Sequence, residues 1–435
     1  MSVLLPLITL LAVASAQTCE LASPGENAIT ECKAPKATEQ RVRREIRDLT
    51  TSEWKKVVDA YWIMKSTSMA DGQAKYGGAF RTHDYFAVKH AVATLDSRGE
   101  QAHFGDWFIN FHAALGLEAE NCVLAVDPTI EAMPYWDVGT GDGFTEEYFG
   151  SAPGTGENFT VIDGAFAKWP ITQNFNMSEF DRYIKDLPGV THTFTGHASG
   201  FLRGNYPDNP LKTPYVTRYG SSAELAFTTE QQGACVAEPV CWEDWYDCVD
   251  IMAPTVDFHT AFHLVLGGLE PHPAEGFTYH GDVEDPCTSP NDPSFHFHHI
   301  NIDRSRLNWM KDHEVEAPAY YGYKGGVDGA KCYGAPWYDA ACPTSGANLG
   351  DVMHGLFPFS SSDLGLTSIT SSGLTHAEII CHLGPDTAPY KYAEPGEART
   401  APKATKIPKA TKRSKATKRS KAPKDLKTPK SPKRA

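Results

Sequence analysis

The chain has 435 residues, 41% of them hydrophobic, and a formal net charge of −14; so much apolar material excludes a disordered tail protein or a mini-scaffold and requires a large buried core. The charge is uneven, because residues 401–435 hold 14 Lys and Arg against the single acid Asp425, a local +13 that leaves −27 on the remainder. An acidic body excludes a specific globular nucleic-acid binder, whereas a basic tail can seek acidic polymers.

The chain opens MSVLLPLITLLAVASA, an apolar run closed by the small-residue pattern Ala14-Ser15-Ala16. Residues 1–16 therefore read as a removable signal peptide, and ten cysteines suit the oxidising compartment to which it leads. The protein is expected to be secreted and extracellular, with no membrane span, since no later stretch has the apolar length a span needs. The even cysteine count allows complete disulfide pairing. Asn158-Phe159-Thr160 and Asn176-Met177-Ser178 fit glycosylation acceptors.

Next, Thr50-Thr51-Ser52-Glu53 forms a capping-box pattern, and Trp54, Val57, Val58, Tyr61 and Met64 follow at helical spacing. A second helix is predicted from Asp84, carrying Phe86, Val88, His90 and Val92. A third follows Gly105-Asp106 through Phe108, Phe111, His112, Leu115 and Glu120. Residues 138–250, rich in Gly, Pro, Asn and Thr, predict long loops with short strands over a helical centre. Helical pattern returns at 255–267, and Asn291-Asp292-Pro293, with Asp as N-cap and Pro in first helical position, starts a helix through Trp309. The expectation is one mainly α domain over 17–395, followed by a disordered Lys/Pro-rich tail over 396–435. In that tail, lysine recurs at every third position from Lys403 to Lys433. Polyproline II has three residues per turn, so it would line those lysines along one edge.

His259 and His263 are four apart, hence about 40° apart on one helical face, a spacing at which two imidazoles can grip one metal. Alone, such a pair is more often two ordinary hydrogen-bonded histidines. The sequence Asp292-Pro293-Ser294-Phe295-His296-Phe297-His298-His299 adds more. Neighbours on a helix are about 100° apart, so only one of His298 and His299 can easily face the same metal. Upstream lie His90, His103 and His112. The last two are nine apart, on opposite faces of any continuous helix, so His103 must sit on the loop before Gly105 to converge with His112. Three imidazoles twice over, without matching carboxylates or thiolates, suit copper, with three-histidine zinc the competitor.

These residues give the chain a resemblance, over roughly residues 40–310, to the tyrosinase and catechol oxidase family, coupled binuclear copper proteins that include molluscan haemocyanins. DYFAVKH at 84–90 is similar to the first-ligand helix, and His103-x8-His112 has the spacing of the second and third ligands. Glu120 and Pro134-Tyr135-Trp136-Asp137 resemble the end of the first copper region. HTAFHLVLGG and DPSFHFHHINIDR resemble the opening and close of the second. The resemblance implies a central antiparallel four-helix bundle, surrounded by long loops, short strands and a disulfide-rich periphery. It implies two copper ions, one held by His90, His103 and His112, the other by His259, His263 and His299, with His298 beside the substrate and Phe295 walling the site. Asp303 is expected either to orient a neighbour or to pair, as a helix-surface carboxylate, with an arginine.

There are departures from the family pattern. Ala113 stands where an arginine usually follows the third ligand. Gln101 stands where a cysteine often forms a thioether with the second, so no such crosslink is expected. Thr260 replaces the asparagine of strong monophenol hydroxylases, leaving Asp250 as the acid that could assist a phenol. The implied activity is oxidation of ortho-diphenols by dioxygen to ortho-quinones, with monophenol hydroxylation less supported. The alternative is a haemocyanin-like dioxygen carrier without turnover, which the lack of internal repeats opposes. About 90 residues between Trp309 and the tail are few for the C-terminal β domain that caps many members.

Overall fold

Helix caps written in the sequence decide where the framework begins. The computed structural model describes residues 33–94, 102–103, 107–138, 146–172, 213–221, 234–237, 245, 248–249, 258–271, 278–285, 289–313, 350, 352–353 and 357–396. All belong to one unit, Met1–Gly396; the expected signal segment, Gln101, Asp250, Asn176 and the lysine tail lie outside the described residues. Helix α1 (Thr51–Ser66) starts at Thr50, whose side chain accepts from the Glu53 amide while the Glu53 carboxylate accepts from the Thr50 amide. It buries Trp54, Val57, Ala60, Tyr61 and Met64, and Val58 packs half-buried against the same core.

Helix α2 (Met69–Tyr76) ends at Gly77, whose φ of 95° suits a residue without Cβ. Helix α3 (His83–Thr94) is buried on every side from Tyr85 to Thr94, as a helix apolar all round must be. Helix α4 (Trp107–Val126) runs 20 residues and buries Phe108, Phe111, Leu115 and Leu117. A single turn, α5 (Glu146–Phe149), follows. Helix α6 (Phe258–Ala261) widens directly into a π turn over Phe262–Gly267. Helix α7 (Ser294–Asp312) begins where the sequence indicates: Asp292 Oδ1 accepts from the Ser294 amide at 3.0 Å, and Pro293 is already helical at φ −57°, ψ −24°. Helix α8 (His376–His382) has its own capping box, Thr375 with Glu378.

Helix α7 packs on α4, α1 packs on both α3 and α4, and α8 packs on α4. The fold is helix-rich with little sheet. Strand β1 (Arg41–Arg43) pairs in parallel with β4 (Tyr390–Tyr392), and β2 (Leu269–Pro271) pairs antiparallel with β3 (Thr278–His280). Among the described residues of 138–250, the expected short strands reduce to the isolated bridges Thr160–Thr217 and Pro170–Tyr215. Pro170 has no amide to donate, and Asn158, Phe159 and Lys168 adopt positive φ, so no ladder can extend there.

Two further expectations change. Cysteine pairing is not complete: Cys235 and Cys248 are bonded, but Cys122 is a free thiol buried on α4. Its Sγ donates to the Arg81 carbonyl and accepts from the Arg81 amide, each at 3.1 Å, and burial pushes its pKa up to about 12. Asp303 does pair with an arginine, Arg306 (2.7 Å), but from a buried position rather than a helix surface, and it also accepts from the Tyr392 hydroxyl (2.7 Å). It belongs to a cluster centred on Arg43, which lies 3.4 Å from the Tyr390 ring centroid and donates to Glu120 (2.7 Å) and Tyr392 (2.7 Å). Charge-assisted bonds and a cation–π stack thus join β1, α4, α7 and β4.

Candidate metal centre

Three elements carry the first histidine group. His90 stands on α3, His112 on α4, and His103 on the bend before α4, where convergence requires it. Their ring centroids are 4.8 Å (His90–His103) and 5.3 Å (His103–His112) apart, and Nε2 of His90 meets Nε2 of His112 at 3.2 Å. The second group forms where α6 meets its π turn, with His259 and His263 4.6 Å apart. Helix α7 brings both its neighbouring histidines close. Ligand atoms of His259, His263 and His298 lie within 4.8 Å of one another, while Nε2 of His299 meets Nε2 of His263 at 3.2 Å. The two groups touch, because His112 and His299 stack with centroids 4.1 Å apart and an interplanar angle of 18°.

Backbone carbonyls decide where the protons are. A carbonyl only accepts, so Nδ1–H of His112 must donate to the Phe108 carbonyl (2.7 Å), and Nδ1–H of His263 to that of Val283. Each Nε2 is then left with an unprotonated lone pair aimed at its neighbours, the tautomer a metal ligand needs. Burial, reinforced by the neighbouring imidazoles, holds His90, His112, His259, His263, His298 and His299 well below the ordinary histidine range. The rings are neutral nitrogen donors, grouped among the described residues without a carboxylate or thiolate, a donor set that fits copper.

Phe295 spans the centre, with ring centroids 4.1 Å from His299, 5.2 Å from His90 and 5.8 Å from His112. Phe108 lies 4.4 Å from His259. His298 lies nearly flat on Phe262, at 3.9 Å and 22°. His296 turns away, against Phe86 and His83. Thr260 sits half-buried on α6, and Ala113 is buried behind His112. Glu120 joins the Arg43 cluster. The orienting carbonyls of Phe108 and Val283 have no signature in the sequence, since any residue supplies a carbonyl; the π turn is equally silent.

Residues 80–312, more than half the chain, match the model of the common central domain of tyrosinase. The chain belongs to the tyrosinase family. It is 26% identical over 312 residues to a tyrosinase of Streptomyces lincolnensis, covering 69% of this chain and 93% of that one. It is 24% identical over 280 residues to a tyrosinase of Streptomyces antibioticus, covering 62% and 84%. Its fold is similar to that of a mutant polyphenol oxidase from Thermothelomyces thermophila, with a TM-score of 0.50 at 18% identity over 83% of this chain and 91% of that one. This tyrosinase-family member uses the family's pair of copper ions, and its two histidine groups could hold them.

Proposed function

We propose that the protein is a secreted oxidase that converts ortho-diphenols to ortho-quinones with dioxygen. One observation carries this reading: two all-imidazole groups, in which carbonyls leave the inward Nε2 of His112 and of His263 unprotonated, stack against each other through His112 and His299 at 4.1 Å. His90, His103 and His112 are assigned to one copper. His259, His263 and His299 are assigned to the other, since His299 reaches both His263 and the first group while His298 lies on Phe262. Bound copper supplies Lewis acidity and electron uptake. The chain's own residues fix the rings through two carbonyls and, with Phe295 and Phe108, exclude water. Two diphenols supply the four electrons and four protons that reduce one dioxygen to two waters.

Helices α3, α4, α6 with its π turn, and α7 are read as the four-helix frame of this centre. Thr260 in place of asparagine favours diphenols over monophenols. The leading apolar segment supports export, and the lysine ladder supports retention on an acidic polymer. Oxygen uptake with catechol tests the activity: two diphenols consumed per dioxygen supports it, and reversible oxygen binding without turnover contradicts it. Deleting residues 401–435 should abolish low-salt retention on an acidic matrix; unchanged retention would remove the tail from the account.

A further inference from the structure

Resting on the copper reading above, we propose that Thr217 and Arg218, adjacent residues far from any ligand in sequence, are the positioning residues of the second histidine group. Both are buried, at 0% and 1% exposure, and each controls a different arm of that group. Asp282 Oδ2 accepts from the Thr217 amide (2.7 Å) and hydroxyl (2.9 Å), while the Asp282 amide donates back to the Thr217 carbonyl (3.0 Å). Asp282 is thereby fixed, and the next residue, Val283, supplies the carbonyl that orients His263. Arg218 grips Asp292 with both prongs, Nε to Oδ2 at 2.7 Å and Nη2 to Oδ1 at 2.8 Å, and its Nη1 donates to the Phe149 carbonyl at 3.0 Å. Asp292 is the residue from which α7 starts, so this grip sets the axial position of Phe295, His298 and His299.

The same segment holds the π turn. Amides of Tyr219 and Gly220 donate to the Gly267 carbonyl (2.6 and 3.1 Å), and that of Ser221 to the Val265 carbonyl (2.9 Å). A Cβ at Gly220 would lie 1.9 Å from the Val265 oxygen, so this approach is open only to glycine. Residues 217–221 therefore brace the π turn, the 281–285 turn and the head of α7 together. In the first group, His90 and His112 stand instead on α3 and α4, whose side chains are buried in the core, and only His103 lies on a bend.

The test uses the full chain with Arg218→Met, the milder Thr217→Val, and the conservative Thr217→Ser. Two readouts are taken: copper bound per chain after dialysis, and amide hydrogen exchange of the metal-free protein. The second copper should bind roughly 10–100-fold more weakly, as expected when an outer partner of a ligand is lost. The stoichiometry should then fall from two to one in Arg218→Met and Thr217→Val, and return to two in Thr217→Ser. Exchange should quicken at 263–268 and 294–300 while α3 and α4 stay protected. Loss of both coppers together, retention of both, or exchange loosened equally over α3 and α4 would overturn the proposal. If the wild type binds no copper, the oxidase reading fails, and the exchange pattern alone still decides this one.

Discussion

Two of the three histidines of the first group, His90 and His112, stand on α3 and α4, 12 and 20 residues long, with His103 on the bend before α4, whereas the second group stands on a four-residue helix, a six-residue π turn and the head of α7. Long helices buried on most faces hold their side chains by apolar packing that the local sequence encodes. The short element cannot: a helix this brief is unstable by itself, so His263 is oriented by the Val283 carbonyl, and residues 217–221 brace the backbone of the π turn, Asp282 and Asp292 around it. One metal site can thus be assembled from two halves of different physical origin. The first should be robust to loop changes and sensitive to core changes, and the second the reverse.

The sharpest break of this contrast is His112→Ala. His112 serves the first group yet stacks on His299, so catechol oxidation should fall by more than the roughly 100-fold that loss of an outer partner can cost, measured by initial rates of oxygen uptake. Next, Glu120→Ala leaves Arg43 buried without its main counter-charge, which should cost about 3–5 kcal/mol in urea unfolding while leaving both coppers bound. A smaller loss, about 1–3 kcal/mol, is expected for Tyr392→Phe, which removes the hydroxyl shared by Arg43 and Asp303.

The smallest effect is expected far from the centre, at the α1 cap, where Thr50→Ala should cost about 1 kcal/mol. It also has a pH signature. Partial burial opposes ionisation of Glu53, but the Thr50 amide and then Arg44 outweigh it and lower its pKa from 4.5 to about 2. A carboxyl depressed in the folded state stabilises it above the unfolded pKa and loses that contribution as pH falls through the folded one. Wild type should therefore lose this part of its stability between pH 4.5 and about 2; Thr50→Ala keeps the backbone amide and should leave most of that limb, whereas Arg44→Ala should flatten it, in thermal melts taken across the range.

The same contrast explains what could be read from the sequence. Capping boxes and 3.6-residue periodicity announced α1, α3, α4 and α7 to within a residue or two of their starts, because these signals are local. The need for His103 to leave the helix followed from spacing alone, and the structure places it on a bend. Adjacent histidines 298 and 299 were ambiguous because both approach His263, a question of tertiary placement. The arginine pairing expected of Asp303 is local, with Arg306 three residues on, but its burial was not legible because Arg43 and Tyr392, which cover it, lie 260 and 89 residues away. The free thiol of Cys122 was not legible, because an even count allows complete pairing but says nothing about which thiols meet. The Thr217–Arg218 brace was invisible for the same reason: backbone carbonyls and long-range carboxylates carry no periodic mark.

The most direct test of the central claim is metal content per chain, by elemental mass spectrometry, on the full protein produced with copper and on its His263→Ala variant. Two coppers per wild-type chain, falling to one in the variant with the first group still loaded, is the result the account requires. One zinc per chain, or no bound metal in either protein, would contradict it.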